Sequence, residues 1–344
     1  MKVVLFCQNQ YAFGILEPIM QVLKIKGYNF LWFVKEPIKE KFPFKNEPYS
    51  SNMEEVKAFK SDAIFVPGNE VPYYLRGLKI QVFHGFAGEK KGHFRIRHYF
   101  DLYLTQGPFF TKKFLELESK YKNFDVIETG WPKIDIYGKE LHKYDVEKSD
   151  LLEKYKAKKI VLYAPTFSPS LTSASFLIEE FKQLSKNKNY LILVKFHDLM
   201  SVDLIDAYKK LAKENNTIIF EEERNIIKFL LMADIMISDT SSVVYEFLLL
   251  DKPVITFKCS SKNIQWDNSL VYSKLEEKIS ANLEKDIFKE QRQHIVSEYH
   301  PYNDGNSALR MVETVKNYIN KNGVPEKRKL SFLRKLKIHK IFGK

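Results

Sequence analysis

Residues 235–250 read IMISDTSSVVYEFLLL, and this stretch decides the fold class. Four residues of β-strand character precede a run of acidic and hydroxyl side chains, and an apolar pattern typical of a helix follows. Comparable apolar runs occur at residues 2–7, 30–34, 63–66, 80–83, 102–104, 160–164, 191–195, 217–220 and 254–257. Helix-like segments such as residues 176–184 and 204–214 separate these runs. Such alternation is typical of parallel sheets covered on both faces, so the sequence predicts an α/β protein.

The length of 344 residues exceeds what one ordinary core needs and favours two doubly wound domains. The chain becomes polar and highly charged between residues 138 and 159, before the apolar run at 160–164. We therefore expect a first domain at residues 1–150, a second domain at 151–318 and a tail at 319–344.

Composition excludes several protein classes. Hydrophobic residues make up 44% of the chain, which is too many for a disordered protein. Cys7 and Cys259 are the only cysteines, so no disulfide framework is expected and a reducing compartment is favoured. No apolar stretch approaches the roughly 20 residues of a membrane span, and no signal-peptide pattern opens the chain. These features predict a cytoplasmic protein.

Most of the net charge of +12 is local, since eight basic residues and no acidic ones lie in the last eighteen positions. The bases Lys327, Arg328, Lys329, Arg334 and Lys335 alternate with apolar residues, a mixture that suits an anionic membrane surface. A solvated, partly disordered tail is the simpler alternative, because the apolar positions form no clean stripe on a helical wheel. Nucleic acid is not an expected partner.

The strongest chemical signal is the hydroxyl-rich segment after the strand at 235–238. Parallel strands bring ligands to their carboxyl ends, and backbone N–H groups and hydroxyls there favour a phosphate anion. Plain helix capping would require the same residue types. The candidate phosphate- or nucleotide-binding residues in and near this segment are Ser238, Asp239, Thr240, Ser241, Ser242 and Glu246.

Two histidines follow other predicted strands. Lys195 and His197 close the run at 191–195, where an imidazole could donate a hydrogen bond to phosphoryl or leaving-group charge. His84 closes the run at 80–83, and a neutral imidazole there could take a proton from an attacking hydroxyl. Gly85, Lys90 and Lys91 follow His84 and are candidates on the acceptor side. The remaining histidines show no paired ligand spacing, so neither a metal site nor a cofactor is expected.

Six segments in order resemble the CDP-glycerol glycerophosphotransferases of teichoic-acid and capsule synthesis. They are FHG at 83–85, TGWPKID at 129–135, LYAPT at 162–166, KFH at 195–197, SDTSS at 238–242 with KPV at 252–254, and DGNSALR at 304–310. The resemblance implies a GT-B-like fold, in which two Rossmann-like domains face each other across a cleft. It also implies transfer of a polyol phosphate from a CDP-linked donor to a lipid-linked or oligosaccharide acceptor, with release of CMP. Glycerol phosphate is the favoured polyol phosphate.

The resemblance assigns roles to individual residues. His84 matches the family's base, His197 matches a histidine that contacts the donor phosphates, and Ser241 and Ser242 match pyrophosphate-binding hydroxyls. Thr166 would join the phosphate contacts, and Glu246 stands where the family more usually has Asp. A lipid-linked acceptor would place the protein peripherally on the inner face of the cell membrane.

Departures from the family pattern keep other functions open. Phe86-Ala87-Gly88 stands where Thr-Pro and a basic residue are common, and Phe167-Ser168 stands where Trp-Arg is common. A GT-B glycosyltransferase that uses another nucleotide sugar is therefore one alternative, and CDP-ribitol is another donor. A non-catalytic, membrane-associated assembly protein is the third alternative.

Overall fold

The computed structural model describes residues 1–86, 92–223, 225–262 and 264–343. The chain forms two compact units, which we call unit 1 and unit 2. Unit 1 comprises Met1–Lys139 together with Glu298–Lys344, and unit 2 comprises Glu140–Ser297. Each unit contains one parallel sheet, which confirms the predicted α/β class with two doubly wound domains.

The strands and helices alternate along the described chain. The strands are β1 (Lys2–Cys7), β2 (Asn29–Val34), β3 (Tyr49–Ser50), β4 (Ala63–Val66), β5 (Leu78–Gln81), β6 (Leu102–Thr105), β7 (Asp125–Glu128), β8 (Lys159–Tyr163), β9 (Tyr190–Val194), β10 (Ile218–Phe220), β11 (Ile235–Ser238), β12 (Val254–Phe257) and β13 (Asp267–Ser269). The α-helices are α1 (Tyr11–Ile25), α2 (Met53–Ala58), α3 (Pro108–Tyr121), α4 (Ile136–Lys139), α5 (Asp145–Tyr155), α6 (Ile178–Leu184), α7 (Val202–Glu214), α8 (Ile226–Met232), α9 (Val243–Leu248), α10 (Leu275–Glu284), α11 (Lys289–Tyr299), α12 (Ser307–Asn322) and α13 (Phe332–Phe342). Two 3₁₀ helices span Glu36–Lys41 and Pro132–Ile134.

Both sheets reverse their direction of winding at a central pair of strands. The strand order is β3-β2-β1-β4-β5-β6-β7 in unit 1 and β10-β9-β8-β11-β12-β13 in unit 2. The reversals lie between β1 and β4 and between β8 and β11. Ligands of doubly wound sheets bind beyond the carboxyl ends of the strands at such points. The loops after β1, β4, β8 and β11 flank these points, and the loops after β5 and β9 lie next to them.

The runs predicted as strands are buried on both faces. Val3, Val4, Leu5, Phe6 and Cys7 of β1 are completely inaccessible to solvent, as a central parallel strand requires. Four predicted strands, at residues 2–7, 63–66, 235–238 and 254–257, have the observed boundaries. The short edge strands β3, β7 and β13 were not predicted, because few of their residues are apolar.

The domain boundaries differ from the expected ones. Residues 140–150 belong to unit 2, whereas residues 298–318 return to unit 1. The return is fixed by Asp135, whose carboxylate accepts the backbone N–H groups of Ser307 at 2.9 Å and Ala308 at 2.8 Å. Arg310 also donates to the carbonyl of Thr129 at 2.9 Å. These contacts satisfy donors at the start of α12, and no local pattern could reveal partners so distant in sequence.

The basic tail is part of unit 1, so residues 319–344 do not form the separate segment that the sequence predicted. Ile338 is completely buried, and the ring of Phe342 lies 5.5 Å from that of Phe6. Arg328, expected at a membrane surface, instead forms an ion pair with Asp101. Its guanidinium also donates to the backbone carbonyls of His98 at 2.6 Å and Asn123 at 2.7 Å. The positive charge of Arg328 is therefore paired with a carboxylate of unit 1.

Unit 1 contains a buried neutral histidine. His300 is 4% exposed, and its Nε2 accepts the backbone N–H of Trp131 at 2.9 Å. Burial lowers the pKa of His300 to about 3. The unfolded chain binds a proton near pH 6.5, so the unfolded state holds more protons between these two values. The free energy of unfolding should therefore fall as the pH drops below about 6.5.

We predict that His300→Gln flattens this acid dependence. For one histidine, linkage gives a loss of about 2 kcal/mol in unfolding free energy between pH 7 and pH 4.5, and the variant should lack that part. Denaturant unfolding at several pH values measures it. His294→Gln, at an exposed position, is the matched control and should keep the wild-type slope. Equal slopes in wild type and His300→Gln would contradict the assignment.

Candidate active site

The second sheet brings the predicted donor-side residues to one edge. Thr166 lies in the loop after β8, Lys195 and His197 follow β9, and the SDTSS segment begins at the last residue of β11. Because β9, β8 and β11 are neighbouring parallel strands, their carboxyl ends lie side by side. The sequence thus predicted correctly that these residues share an edge.

A buried carboxylate ties this edge together. Asp239 is completely buried, and its Oδ1 accepts the backbone N–H of Thr166 at 2.7 Å. Its Oδ2 accepts the N–H of Ser173 at 2.8 Å and the hydroxyl of Ser173 at 2.9 Å. Burial raises the pKa of Asp239 to about 6, although the hydrogen bonds oppose the shift. Both carboxylate oxygens accept hydrogen bonds, and these three bonds favour the ionised form.

Two of the predicted phosphate ligands have structural roles instead. Asp239 is inaccessible and faces the loop after β8, so it cannot bind a nucleotide directly. Ser238 is also completely buried, and its hydroxyl donates to the carbonyl of Ala164 at 2.7 Å. Both side chains join β11 to the chain that leaves β8. The sequence correctly predicted that both residues lie at the carboxyl end of a strand, but it did not predict that their side chains point into the interior.

Lys195 and Glu246 lie mostly beneath the surface. Their exposed fractions are 7% and 6%, which leaves little area for a ligand. The ammonium of Lys195 donates to the carbonyl of Phe196 at 2.8 Å. The expected direct contact of both residues with a nucleotide is therefore restricted to the small part of each side chain that solvent reaches.

The hydroxyls after Asp239 are more accessible. Thr240, Ser241 and Ser242 are each partly exposed. The hydroxyl of Thr240 accepts the backbone N–H of Ser260 at 3.0 Å, which attaches the loop after β12. Ser242 occupies the position before α9 yet makes no side-chain capping bond. Within the described part of the chain, the Ser241 and Ser242 hydroxyls have no hydrogen-bond partner, so both can receive a ligand.

The backbone fixes the tautomer of His197. Its Nδ1 accepts the backbone N–H of Leu199 at 3.1 Å, so Nδ1 carries no proton. In the neutral ring the proton is then on Nε2, which makes Nε2 a hydrogen-bond donor. Partial burial lowers the pKa of His197, and the Lys195 charge adds to this effect while Asp198 opposes it. Phe167 packs on the ring with centroids 4.6 Å apart. Sequence reasoning noted Phe167 only as a departure from the family pattern.

The first sheet fixes His84 in the opposite tautomer. Its Nδ1 lies 3.0 Å from the carbonyl oxygen of Pro67, and since a carbonyl can only accept, Nδ1 is the donor. In the neutral ring Nε2 therefore carries no proton and can act as a base. The imidazole is exposed and packs against Tyr11 at a centroid distance of 5.2 Å.

The loop that carries His84 leaves the sheet earlier than predicted. The strand β5 ends at Gln81, because Phe83 adopts a left-handed conformation with φ +57° that no strand tolerates. Such backbone strain in a bulky residue is concentrated at functional loops. The carbonyl of Gly85 accepts the Gln106 amide at 2.9 Å, which holds the far side of the loop. Lys90 and Lys91, the other acceptor-side candidates, lie outside the described residues.

Comparison with known proteins identifies the family. A model of the CDP-glycerol:poly(glycerophosphate) glycerophosphotransferases matches residues 15–317. The chain belongs to this family. The match begins well before residue 83, where the first of the six family-like segments starts.

Characterised relatives of this glycerophosphotransferase family member act in teichoic-acid synthesis. The ribitol-phosphate polymerase TarL of Staphylococcus aureus (strain NCTC 8325 / PS 47) is 28% identical over 230 residues, which cover 58% of this chain and 39% of TarL. The glycerol-phosphate primase of Bacillus subtilis (strain 168) is 27% identical over 231 residues, which cover 63% of this chain and 58% of the primase. This chain therefore spans less than two thirds of the length of either relative.

Solved structures confirm the GT-B-like fold of the family member. The wall teichoic acid polymerase TagF superposes with a TM-score of 0.68 at 17% identity, over 93% of this chain and 89% of TagF. The UDP complex of S. aureus MnaA gives a TM-score of 0.66 at 16% identity, over 93% of this chain and 97% of MnaA. At such identities the similarity concerns the fold alone.

Two family segments stabilise the fold of this glycerophosphotransferase family member rather than line its site. Lys252, in the KPV segment, donates its ammonium to the carbonyls of Leu231 and Ala233 at 2.7 Å each, and so caps the end of α8. Asp135 of the TGWPKID segment receives the start of α12, as described above. Among the described residues, no group of three or more His, Cys, Asp or Glu side chains could hold a metal ion.

We predict that Asp239→Ala destabilises unit 2 by about 2–4 kcal/mol, because it leaves three donors near Thr166 and Ser173 without their acceptor. Denaturant unfolding monitored by fluorescence measures the change. Asp206→Ala, at an exposed position of α7 in the same unit, should change stability by less than about 0.5 kcal/mol. An Asp239→Ala protein as stable as the control would show that the hydrogen bonds of Asp239 to Thr166 and Ser173 do not stabilise unit 2.

Proposed function

We propose that this protein transfers a polyol phosphate from a CDP-linked donor to a hydroxyl of a lipid-linked or oligosaccharide acceptor, with release of CMP. Glycerol phosphate is the favoured polyol phosphate, and the reaction serves the synthesis of a cell-envelope polymer. Family membership and teichoic-acid relatives for both glycerol phosphate and ribitol phosphate support a CDP-polyol as the donor. The active residues belong to the chain itself, and the proposal requires no cofactor.

The observation that carries the proposal is the opposite tautomers of the two histidines. The carbonyl of Pro67 leaves Nε2 of His84 as a proton acceptor, and the N–H of Leu199 leaves Nε2 of His197 as a proton donor. Transfer of a phosphoryl group to a hydroxyl needs one group of each kind.

The proposed reaction is a displacement at the distal phosphorus of the donor. The acceptor oxygen forms a bond to that phosphorus, and its proton passes to Nε2 of His84. The bond between the phosphorus and the bridging oxygen breaks, and CMP leaves with that oxygen. Nε2–H of His197 donates to the phosphate oxygens as charge builds up on them, while Ser241 and Ser242 provide hydroxyl donors.

We also propose that the protein attaches peripherally to the inner face of the cell membrane. The exposed side of α13 carries Phe332, Leu333 and Leu336, whose exposed fractions are 72%, 77% and 49%. Lys337 and Lys340 on the same helix are exposed as well. Apolar side chains flanked by ammonium groups suit an anionic bilayer surface. In the described part of the chain, no helix has the length and hydrophobicity to cross a membrane.

We predict that the protein binds CDP-glycerol or CDP-ribitol more tightly than UDP-sugars in calorimetric titrations. The double variant Ser241→Ala/Ser242→Ala should bind the CDP-linked donor more weakly, because it loses two hydroxyls that donate hydrogen bonds to phosphate.

His84→Gln should bind the CDP-linked donor normally but release CMP at least about 10²-fold more slowly in the presence of an acceptor, because it lacks the base. His294→Gln serves as the control for both assays.

The outcomes of these assays separate the alternatives. A new phosphodiester with CMP release supports the proposal, and a glycosidic product without added phosphorus would replace it with glycosyl transfer. Undiminished turnover of His84→Gln would remove His84 as the base. Unaltered donor affinity of the double serine variant would reject these hydroxyls as phosphate ligands.

We predict that Phe332→Ser/Leu333→Ser/Leu336→Ser lowers co-sedimentation with phosphatidylglycerol vesicles, because it removes the exposed apolar side chains and leaves Ile338 in the core. Binding of the wild type should weaken as salt rises. Ile25→Ser, at an 83% exposed position of α1, is the control for the loss of any surface hydrophobe. Equal sedimentation of the triple variant and the wild type would leave α13 without a membrane role.

A further inference from the structure

A buried glutamine lies next to the proposed base. Gln81 is the last residue of β5 and is 5% exposed. Its amide nitrogen lies 3.1 Å from the carbonyl oxygen of Val66, 3.3 Å from that of Pro67 and 2.9 Å from that of Gly68. The turn after β4 thus directs three consecutive carbonyl oxygens at one side-chain donor. A buried polar side chain in a central strand is stable only with such partners.

One of these carbonyls also determines the state of His84. The oxygen of Pro67 receives both the Gln81 amide and Nδ1–H of His84, the latter at 3.0 Å. A carbonyl oxygen has two lone pairs and can accept both bonds. Gln81 and His84 are therefore linked through one backbone atom, the carbonyl oxygen of Pro67, which lies in the turn after β4.

We infer that Gln81 is a positioning residue that sets the tautomer of His84. By holding the turn at Pro67, it places a hydrogen-bond acceptor where the imidazole must present Nδ1–H, and so keeps the proton off Nε2. The inference rests on the proposed function only for its catalytic consequence, since the tautomer itself is a property of the folded chain.

Residue type explains why an amide is required at position 81. Methionine has a similar length but no donor, so the carbonyls of Val66, Pro67 and Gly68 would each lose one hydrogen bond and the turn could relax. Glutamate would point carboxylate oxygens at three carbonyl oxygens, which repel it. Gln106, the residue after the neighbouring strand β6, also holds this loop, but its amide bonds to Gly85 and not to Pro67. Gln106→Met is therefore a matched control with the same chemical change.

The test is ¹⁵N NMR of protein labelled at histidine, recorded at a pH where the rings are neutral. The wild type should show His84 with the proton on Nδ1. In Gln81→Met a second population with the proton on Nε2 should appear, and in Gln106→Met it should not. We expect turnover of Gln81→Met to fall by about tenfold while KM for the CDP-polyol stays unchanged. Gln81→Asn, whose shorter amide cannot reach the same carbonyls, replaces the methionine variant if that protein fails to fold.

The result separates this inference from the proposed function. An unchanged His84 tautomer in the Gln81 variant would overturn the positioning role, and so would an equal shift in Gln106→Met. A shifted tautomer confirms the positioning role whatever the turnover. If the tautomer shifts and turnover does not change, His84 is not the base, and the proposed mechanism fails while the role of Gln81 stands.

Discussion

The buried carboxylate of Asp239 is the contact on which the candidate site of unit 2 depends. It receives three hydrogen bonds from Thr166 and Ser173, and so fixes the loop after β8 against the end of β11. Phe167, next to Thr166, packs on His197 at the end of β9. The position of the imidazole thus follows from a carboxylate that no ligand can reach. An ionised group with so little access to water is stable only because all three bonds are present.

Unit 1 uses neutral donors for the same purpose. Gln81 holds the turn after β4, and Gln106 holds the carbonyl of Gly85. Between them, His84 donates to Pro67. In both units a backbone group selects the histidine tautomer, and a buried polar side chain fixes the surrounding loops. Such supporting contacts keep a reacting group in place without using the group's own reactive atom.

The family motifs divide into two kinds when their contacts are considered. His84, His197, Ser241 and Ser242 present atoms to solvent and can meet a substrate. Ser238, Asp239, Asp135 and Lys252 point inward and join loops, strands and helix ends. Residues of the second kind hold together parts of the chain that are distant in sequence.

The sequence by itself determined the α/β class, the two doubly wound domains, the boundaries of several central strands and the edge at which the candidate residues lie. These features depend on local apolar patterns and on the general rule that ligands meet the carboxyl ends of parallel strands. Only the tertiary structure decided which side chains face inward, which nitrogen of each histidine carries the proton, and that residues 298–344 return to unit 1. The reason is physical: each of these outcomes depends on a hydrogen bond or a packing contact whose two partners are far apart along the chain, or on the direction of a side chain, and neither leaves a pattern in neighbouring residues.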